Sequence, residues 1–236
     1  AMNQEVSTGL RDGFIQARDD RNIRAVVLTG AGDKAFVSGA DISEFEEVRN
    51  TPEQVVAYEA ATGGSHQALK SLEIPLIAMI RGFCIGGGMA IALSCDIRIS
   101  ADDGQFGVPA AKLGLGYGYG GIKELVNLVG PSFAKEIFFT GGRFSAANAE
   151  VMGLVNRVVP VSDLEATVTT LAKTIADNAP LTVKAAKAAI NEGTKDPDQR
   201  ELDRIAEMVE ICFNSEDYKE GRRAFMEKRK PHFQGC

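Results

Sequence analysis

Two hydrophobic periods alternate along this chain and predict a layered α/β fold. Four short apolar runs predict buried strands, at residues 24–29, 75–80, 96–100 and 154–159. Between the runs, apolar residues recur at helical spacing, as at Leu164, Val168, Leu171 and Ile175. Strands that alternate with helices are typical of an α/β fold with mostly parallel pairing.

The end of the chain has a different pattern, because from residue 180 onward only helices are predicted. The first begins at Pro180 and ends near Gly193, which is the usual placement of proline and glycine at helix ends. A second carries an apolar stripe, and a third begins after Ser215 as N-cap. The stripe consists of Leu202, Ile205, Met208, Val209 and Phe213. Such a stripe needs a further surface for burial, and a neighbouring subunit is one candidate.

Composition and charge exclude several classes of protein. The net charge of −6 argues against a nucleic-acid partner. The longest uncharged run, residues 82–95, has 14 residues, which is short of the roughly 20 that span a bilayer. The first twenty residues carry six charges, unlike a secretory leader. Four irregularly spaced cysteines and two histidines predict neither disulfides nor a metal site, and they favour a cytoplasmic setting.

Glycine is concentrated after the second predicted strand and again at residues 114–121. In the first cluster Gly86, Gly87 and Gly88 precede an apolar helix, so free N–H groups at the helix start can hold a phosphate or an oxyanion. A tight turn that lets helix and strand pack closely explains the same pattern equally well. The spacing fits neither a dinucleotide fingerprint nor a P-loop. A second candidate donor lies in the Ser38–Gly39–Ala40–Asp41 turn, which also reads as an ordinary loop before an acid-rich helix start.

Four ordered motifs together resemble the crotonase (enoyl-CoA hydratase/isomerase) superfamily. They are KAFVSGADISEF at 34–45, IRGFCIGGGMAIALSCDIRIS at 80–100, QFGVPAAKLGL at 105–115 and FFTGGRFSAANAEVMGLVNRVV at 138–159. The ending FMEKRKPHF extends the resemblance to essentially the whole chain. It implies a crotonase-like ββα spiral core at 1–179, a helical trimerisation region at 180–236, and about twenty further residues before the first one given.

The resemblance also implies a substrate and the residues that hold it. The substrate is an acyl-CoA thioester, with coenzyme A carried as part of it and no separate cofactor. The oxyanion hole falls on the amides of Ala40 and Gly87. Two sets of residues are implied for the coenzyme A moiety: Lys34, Ala35, Phe36 and Ser38 along its path, and Phe225 and Lys228 near its adenine end. The assembly implied is a homotrimer or a hexamer, with no membrane partner.

The sequence departs from the hydratases of this superfamily at both positions of their catalytic glutamates. Ala90 follows the glycine triplet, and Ala110 follows the proline of the QFGxP motif. Alanine cannot transfer a proton, so efficient hydration of an enoyl-CoA is not expected. An aspartate used by some isomerases and dehalogenases falls at Gly118 and is also absent.

Three functions stay open. Decarboxylation needs enolate stabilisation without a protein base, and the methylmalonyl-CoA decarboxylases of the superfamily resemble this chain at Tyr117 and in the tail at 214–233. They differ from it at Ala40 and Pro109, where they carry histidine and threonine. The alternatives are a hydratase or isomerase with a replacement acid–base residue, such as Tyr117, Glu124 or a residue of the loop at 45–66, and a non-catalytic acyl-CoA-binding protein. An ion pair is the simpler expectation for Lys123 and Glu124, and loop packing is an equal alternative for Tyr117.

Overall fold

The strands of this protein fall into two four-stranded sheets. A computed structural model describes residues 1–40, 51, 53, 54, 64, 65 and 67–236. The expected helix start at Asp41 and most of the loop at 45–66 lie outside these residues. Eight strands are present in the described part: β1 (Val26–Thr29), β2 (Ala35–Val37), β3 (Leu76–Ile80), β4 (Phe83–Ile85), β5 (Ile97–Ala101), β6 (Gln105–Gly107), β7 (Phe144–Ser145) and β8 (Arg157–Val159).

The first sheet has the order β1-β3-β5-β8 and is parallel throughout. These are the four strands that the apolar runs predict, with starts that differ by up to three residues and ends that differ by at most one. The central strands β3 and β5 are largely buried on both faces, and Ile77, Ala78 and Ile80 are fully buried. Burial on both faces explains why β3 is a continuous apolar run rather than an alternating pattern.

The second sheet has the order β2-β4-β6-β7, and only the last pair is antiparallel. Its strands are two or three residues long. Along the chain, each strand of the first sheet up to β5 is followed by one of the second, and a helix returns the chain. Successive strand–strand–helix turns therefore stack into a spiral, which confirms the predicted fold class.

The helices whose bounds the structure gives are α1 (Gln4–Asp19), α2 (Gly87–Ser94), α3 (Tyr119–Thr140), α4 (Ala146–Val151), α5 (Leu164–Ala176), α6 (Pro180–Gly193), α7 (Leu202–Asn214) and α8 (Glu216–Glu227), and residues 67–70 are also helical. Helix α3 is interrupted at Gly130, which has a φ of 74° and precedes Pro131. The main apolar core includes residues from both sheets, α2 and α3, while α5 forms a smaller cluster with Ile77 and Ile99 of the first sheet.

The C-terminal helices are attached to the spiral by few buried contacts. In α6, the Lys187 ammonium donates to the Asp96 carboxylate at 2.7 Å and to the Ile74 carbonyl at 2.9 Å. Helix α7 has no buried residue, and Ser215 caps α8 by accepting from the Tyr218 amide at 3.0 Å. The helices confirm the predicted pattern, whereas the domain boundary at 179/180 stays a prediction.

Large apolar side chains remain exposed on these helices: Ile190, Leu202, Val209, Ile211, Phe213, Tyr218, Phe225 and Met226. None of the described helices is both long enough and apolar enough to cross a membrane.

Candidate active site

Three turns meet at one edge of the second sheet. Strands β2, β4 and β6 are parallel neighbours, so the chain leaves all three at the same edge. Ser38 to Ala40 follow β2, the glycine triplet follows β4, and a 3₁₀ helix (Pro109–Lys112) follows β6. The Gly86 amide donates to the Gly107 carbonyl at 2.9 Å and ties two of these turns together. The carboxyl edge of parallel strands is where α/β folds bind their ligands.

The three glycines of the triplet differ in what requires glycine at each position. Gly86 has a φ of 54°, which an L side chain rarely adopts. A methyl group at Gly88 would clash with the Val37 carbonyl and lie 2.8 Å from the Val37 Cβ, because α2 packs directly on β2 there. Gly87 has neither restriction, since its φ lies outside the left-handed region and a methyl group would meet only the Ala40 nitrogen, at 3.9 Å. Backbone conformation therefore explains the glycine at 86, and packing explains the glycine at 88. Neither explains the glycine at 87, which leaves Gly87 to another role.

The amides of Ala40 and Gly87 border one small space. Gly87 is the first residue of α2, so its N–H has no acceptor within the helix and lies at the positive end of the helix dipole. The Met2 amide donates to the Gly39 carbonyl at 2.7 Å and holds the other turn in place. Among the described residues, neither amide donates to another backbone group. Two such N–H groups can together hold an anionic oxygen.

The two alanines lie on segments that follow neighbouring strands at this sheet edge. Ala90 lies in α2, three residues after Gly87, and its amide donates to the Gly86 carbonyl at 3.2 Å. Ala110 lies in the 3₁₀ helix after β6 and is 4% exposed. Neither residue contributes a titratable group beside the amides.

Tyr117 lies in the second glycine cluster, just before α3. Its ring meets the Phe138 ring edge-on, with 5.2 Å between the centroids and 73° between the planes, and it packs against the main core. The ring of Tyr117 therefore has a packing contact, and its catalytic role stays a prediction.

Lys123 and Glu124 both form ion pairs, as the sequence predicts, but with residues that are distant in the chain. The Lys123 ammonium donates to Asp196 at 2.8 Å, and this hydrogen bond raises the pKa of Lys123. The Glu124 carboxylate lies 2.6 Å from the Lys70 ammonium. Because this carboxylate is already engaged by Lys70, the pairing argues against Glu124 as a general base.

The residues predicted for coenzyme A fall into two groups. Lys34 and Ser38 are exposed at the two ends of β2, and Ala35 is partly buried, all on the segment that leads to Ala40. Phe36, between them, is 4% exposed, so its side chain belongs to the core. Phe225 is 83% exposed near the end of α8, and Lys228 follows that helix. No hydrogen bond or ion pair between described residues joins Lys228 to residues 34–38.

Two polar residues of the CDIRIS segment have structural partners that the sequence does not predict. Asp96 accepts from the Leu76 amide at 2.7 Å as well as from Lys187. Arg98 is 5% exposed and donates to three backbone carbonyls. The neighbouring Cys84 and Cys95 are buried, and burial raises the pKa of Cys95 to about 12. Within the described ranges no group of three or more metal-ligating side chains occurs.

The fold is an α/β spiral of stacked strand–strand–helix turns. Two amides at one edge of its second sheet can hold an anionic oxygen. The sequence model of the Enoyl-CoA hydratase/isomerase family matches residues 1–236. This chain therefore belongs to that family.

Individual relatives agree with this assignment. The chain is 43% identical to a short-chain-enoyl-CoA hydratase of Clostridium acetobutylicum over 98% of this chain and 87% of the relative. It is 36% identical to a crotonyl-CoA hydratase of Syntrophomonas wolfei, over 99% of this chain and 89% of that one. A solved enoyl-CoA hydratase/carnithine racemase of Magnetospirillum magneticum superposes with a TM-score of 0.93 at 37% identity, covering 100% of this chain and 88% of the other.

Proposed function

We propose that this protein is an enzyme acting on an acyl-CoA thioester, with the enolate oxygen held between the amides of Ala40 and Gly87. The observation that carries the proposal is that Gly87 is a glycine without a packing reason, beside the Ala40 amide, which donates to no other backbone group among the described residues. Measured oxyanion sites gain about 3–4 kcal/mol of transition-state stabilisation from one such donor. The enoyl-CoA and crotonyl-CoA named for the relatives supply the class of substrate.

The favoured reaction is decarboxylation of a malonyl-type thioester. The bond between the α-carbon and its carboxylate breaks, and the electron pair moves into the enolate that the two amides stabilise. Carbon dioxide leaves, and the α-carbon takes a proton from Tyr117 or water. This sequence of steps needs no carboxylate at Ala90 or Ala110. Hydration does, because a water must be activated and a proton delivered to the α-carbon.

A second candidate is hydration or isomerisation with a replacement acid–base residue, and the hydratase names of the relatives favour it. Tyr117 is its strongest described candidate, because Glu124 is ion-paired with Lys70. The third candidate, acyl-CoA binding without turnover, keeps the amide pair and explains the two alanines.

Two further parts of the proposal concern binding and assembly. Lys34, Ala35, Phe36 and Ser38 lead to the amide pair, so coenzyme A is proposed to follow this segment, with Phe36 contributing main-chain atoms. The exposed Phe225 and Lys228 are proposed to meet the adenine end. The exposed apolar residues of α7 and α8 support a homotrimer or hexamer.

A turnover screen by mass spectrometry tests these candidates against one another. Purified protein is mixed with malonyl-, methylmalonyl-, ethylmalonyl-, crotonyl- and 3-hydroxybutyryl-CoA. Loss of carbon dioxide from a malonyl-type thioester supports decarboxylation. Gain of water on crotonyl-CoA, with a rate that falls in Tyr117→Phe or Glu124→Gln, supports the second candidate and contradicts the first. No turnover, together with measurable coenzyme A binding, leaves the non-catalytic function.

A further inference from the structure

Arg98 is a buried cation that forms no ion pair with a carboxylate of the described residues. It lies on β5 and is 5% exposed, and burial lowers the pKa of its guanidinium. Among the described residues, no carboxylate forms an ion pair with it. Its neighbour Asp96 pairs instead with Lys187. Charges are rarely buried without a partner, so the groups that Arg98 does contact require an explanation.

The guanidinium binds the C-terminal end of α2. Its Nη1 donates to the carbonyls of Cys95 at 2.5 Å and Ala92 at 3.2 Å. Its Nε donates to the Leu154 carbonyl at 2.8 Å, in the segment that precedes β8. Ala92 lies in the last turn of α2, and Cys95 is its C-cap. The last carbonyls of a helix lack the usual intrahelical donor. The Ala92 carbonyl accepts from the Cys95 amide at 3.2 Å, so Arg98 is a second donor there; it also satisfies the Cys95 carbonyl and anchors this helix end to a neighbouring segment.

The opposite end of α2 carries Gly87. This helix has only eight residues, so about 12 Å separate its ends. Two turns of helix are not stable in isolation, and their position depends on what holds them. At the first turn Gly88 packs on Val37, and at the last turn Arg98 holds the carbonyls. A cation at the C-terminal end also offsets the negative end of the helix dipole and leaves the positive end, at Gly87, uncompensated.

We propose that Arg98 is a positioning residue for the oxyanion site. It fixes the axial position of α2 and strengthens the positive potential at the Gly87 amide, without contact with the substrate. This inference rests on the proposed role of the Ala40 and Gly87 amides. It predicts that a change at Arg98 weakens the hydrogen bonds to the thioester oxygen more than it weakens binding of the rest of the substrate.

The chain offers a matched control in Arg24. Its Nη1 donates at 3.0 Å to the carbonyl of Ala176, the last residue of α5, and its Nη2 donates at 2.5 Å to the Phe233 carbonyl. Arg24 therefore makes the same type of contact at the end of a different helix. The first residue of α5, Leu164, is not part of the amide pair.

The experiment compares wild type with Arg98→Met, Arg98→Lys and Arg24→Met. The probe is butyryl-CoA labelled with ¹³C at the thioester carbonyl, which has no carboxylate to lose. Isotope-edited infrared spectra of the saturated complexes give the carbonyl band, whose shift to lower frequency reports the hydrogen bonds that the oxygen accepts. In parallel, kcat and KM are measured on the thioester found in the turnover screen.

In wild type the band is expected to shift from its position in free butyryl-CoA. In Arg98→Met the carbonyl band returns towards its position in free butyryl-CoA, because both donors remain but are misplaced. For the same reason kcat is expected to be lower by about tenfold, while KM stays within about twofold of wild type. Arg98→Lys, which keeps the charge but not the planar fork, falls between the two. Arg24→Met keeps the wild-type band.

A wild-type band in both Arg98 variants overturns the inference, and so does an equal loss of shift in Arg24→Met. If Arg98→Met does not fold, the band of Arg98→Lys decides by the same criterion. An unshifted band in wild type has a different meaning, because it removes the proposed oxyanion site and the inference with it.

Discussion

Replacing Gly87 with alanine adds one methyl group beside the amide pair and separates its function from its packing. The new Cβ would lie 3.9 Å from the Ala40 nitrogen, an ordinary contact, and the backbone angle is open to an L residue. The free energy of unfolding is therefore expected to change by less than about 1 kcal/mol.

The added methyl group fits the fold but leaves too little space for the substrate oxygen. An oxygen that accepts from the Ala40 amide lies about 2.9 Å from its nitrogen. A carbon and an oxygen approach no closer than about 3.3 Å, so the added methyl group and the enolate oxygen compete for the space between the amides. Loss of one donor in an oxyanion site lowers kcat by about 10²–10³, and this is the loss expected for Gly87→Ala.

The assay measures kcat on the thioester found in the turnover screen and the free energy of unfolding in urea. Two other glycine variants serve as its controls. Gly13→Ala in the interior of α1 meets nothing within 4 Å, so it is expected to leave kcat unchanged and to raise the free energy of unfolding by about 0.5–1 kcal/mol, because alanine is the better helix former. Gly88→Ala forces α2 away from Val37 and is expected to lower the free energy of unfolding by about 1–3 kcal/mol or more. If Gly87→Ala keeps wild-type stability and also a wild-type kcat, the amide pair is not the site.

Three other predictions concern stability and assembly. Lys187→Met leaves the half-buried Asp96 without its cation, so the free energy of unfolding in urea should fall by about 2–3 kcal/mol, and a loss no larger than that of the exposed-pair variant Lys123→Met would contradict this. The hydrogen bond from Arg229 lowers the pKa of Glu220 from 4.5 to about 2, so this carboxylate contributes stability above about pH 4.5 that is lost as the pH falls towards 2. Glu220→Gln should flatten the fall in stability between pH 5 and 3, and parallel curves would refute the assignment. Val209→Glu on the exposed face of α7 should reduce the particle mass measured by light scattering, and an unchanged mass would argue against this face as the subunit interface.

The sequence predicts one sheet of this fold well and the other hardly at all. The predicted strands are the four members of the first sheet, of which the central β3 and β5 are largely buried on both faces. The second sheet has strands of two or three residues, such as Phe83–Ile85, in which no period can be recognised. Its strands are held by parallel pairing with segments about 20 to 50 residues away, which no local pattern contains.

The candidate site shows the same limit. Spacing alone left the glycine triplet open between a tight turn and an anion site, and the structure divides it: Gly86 and Gly88 serve the turn, and Gly87 lies beside Ala40. The Lys187–Asp96 pair could not be predicted, because its members are 91 residues apart. Arg98 stands inside a recognised motif, but its acceptors are backbone carbonyls, which leave no trace in the side-chain sequence.

Family membership and reaction depend on different parts of this chain. Identity of 43% over 98% of the chain, together with the family model over residues 1–236, shows the family. Under the proposed function, the acid–base chemistry of hydration depends on the two positions at which Ala90 and Ala110 stand. High sequence identity elsewhere in a chain does not compensate for the loss of a catalytic carboxylate, because the carboxylate itself carries the proton. The amides of Ala40 and Gly87 are main-chain groups, so they persist through substitutions that remove side-chain chemistry. We therefore propose that the amide pair without a neighbouring proton-transferring carboxylate favours reactions in which cleavage of the bond to the leaving group itself supplies the electron pair.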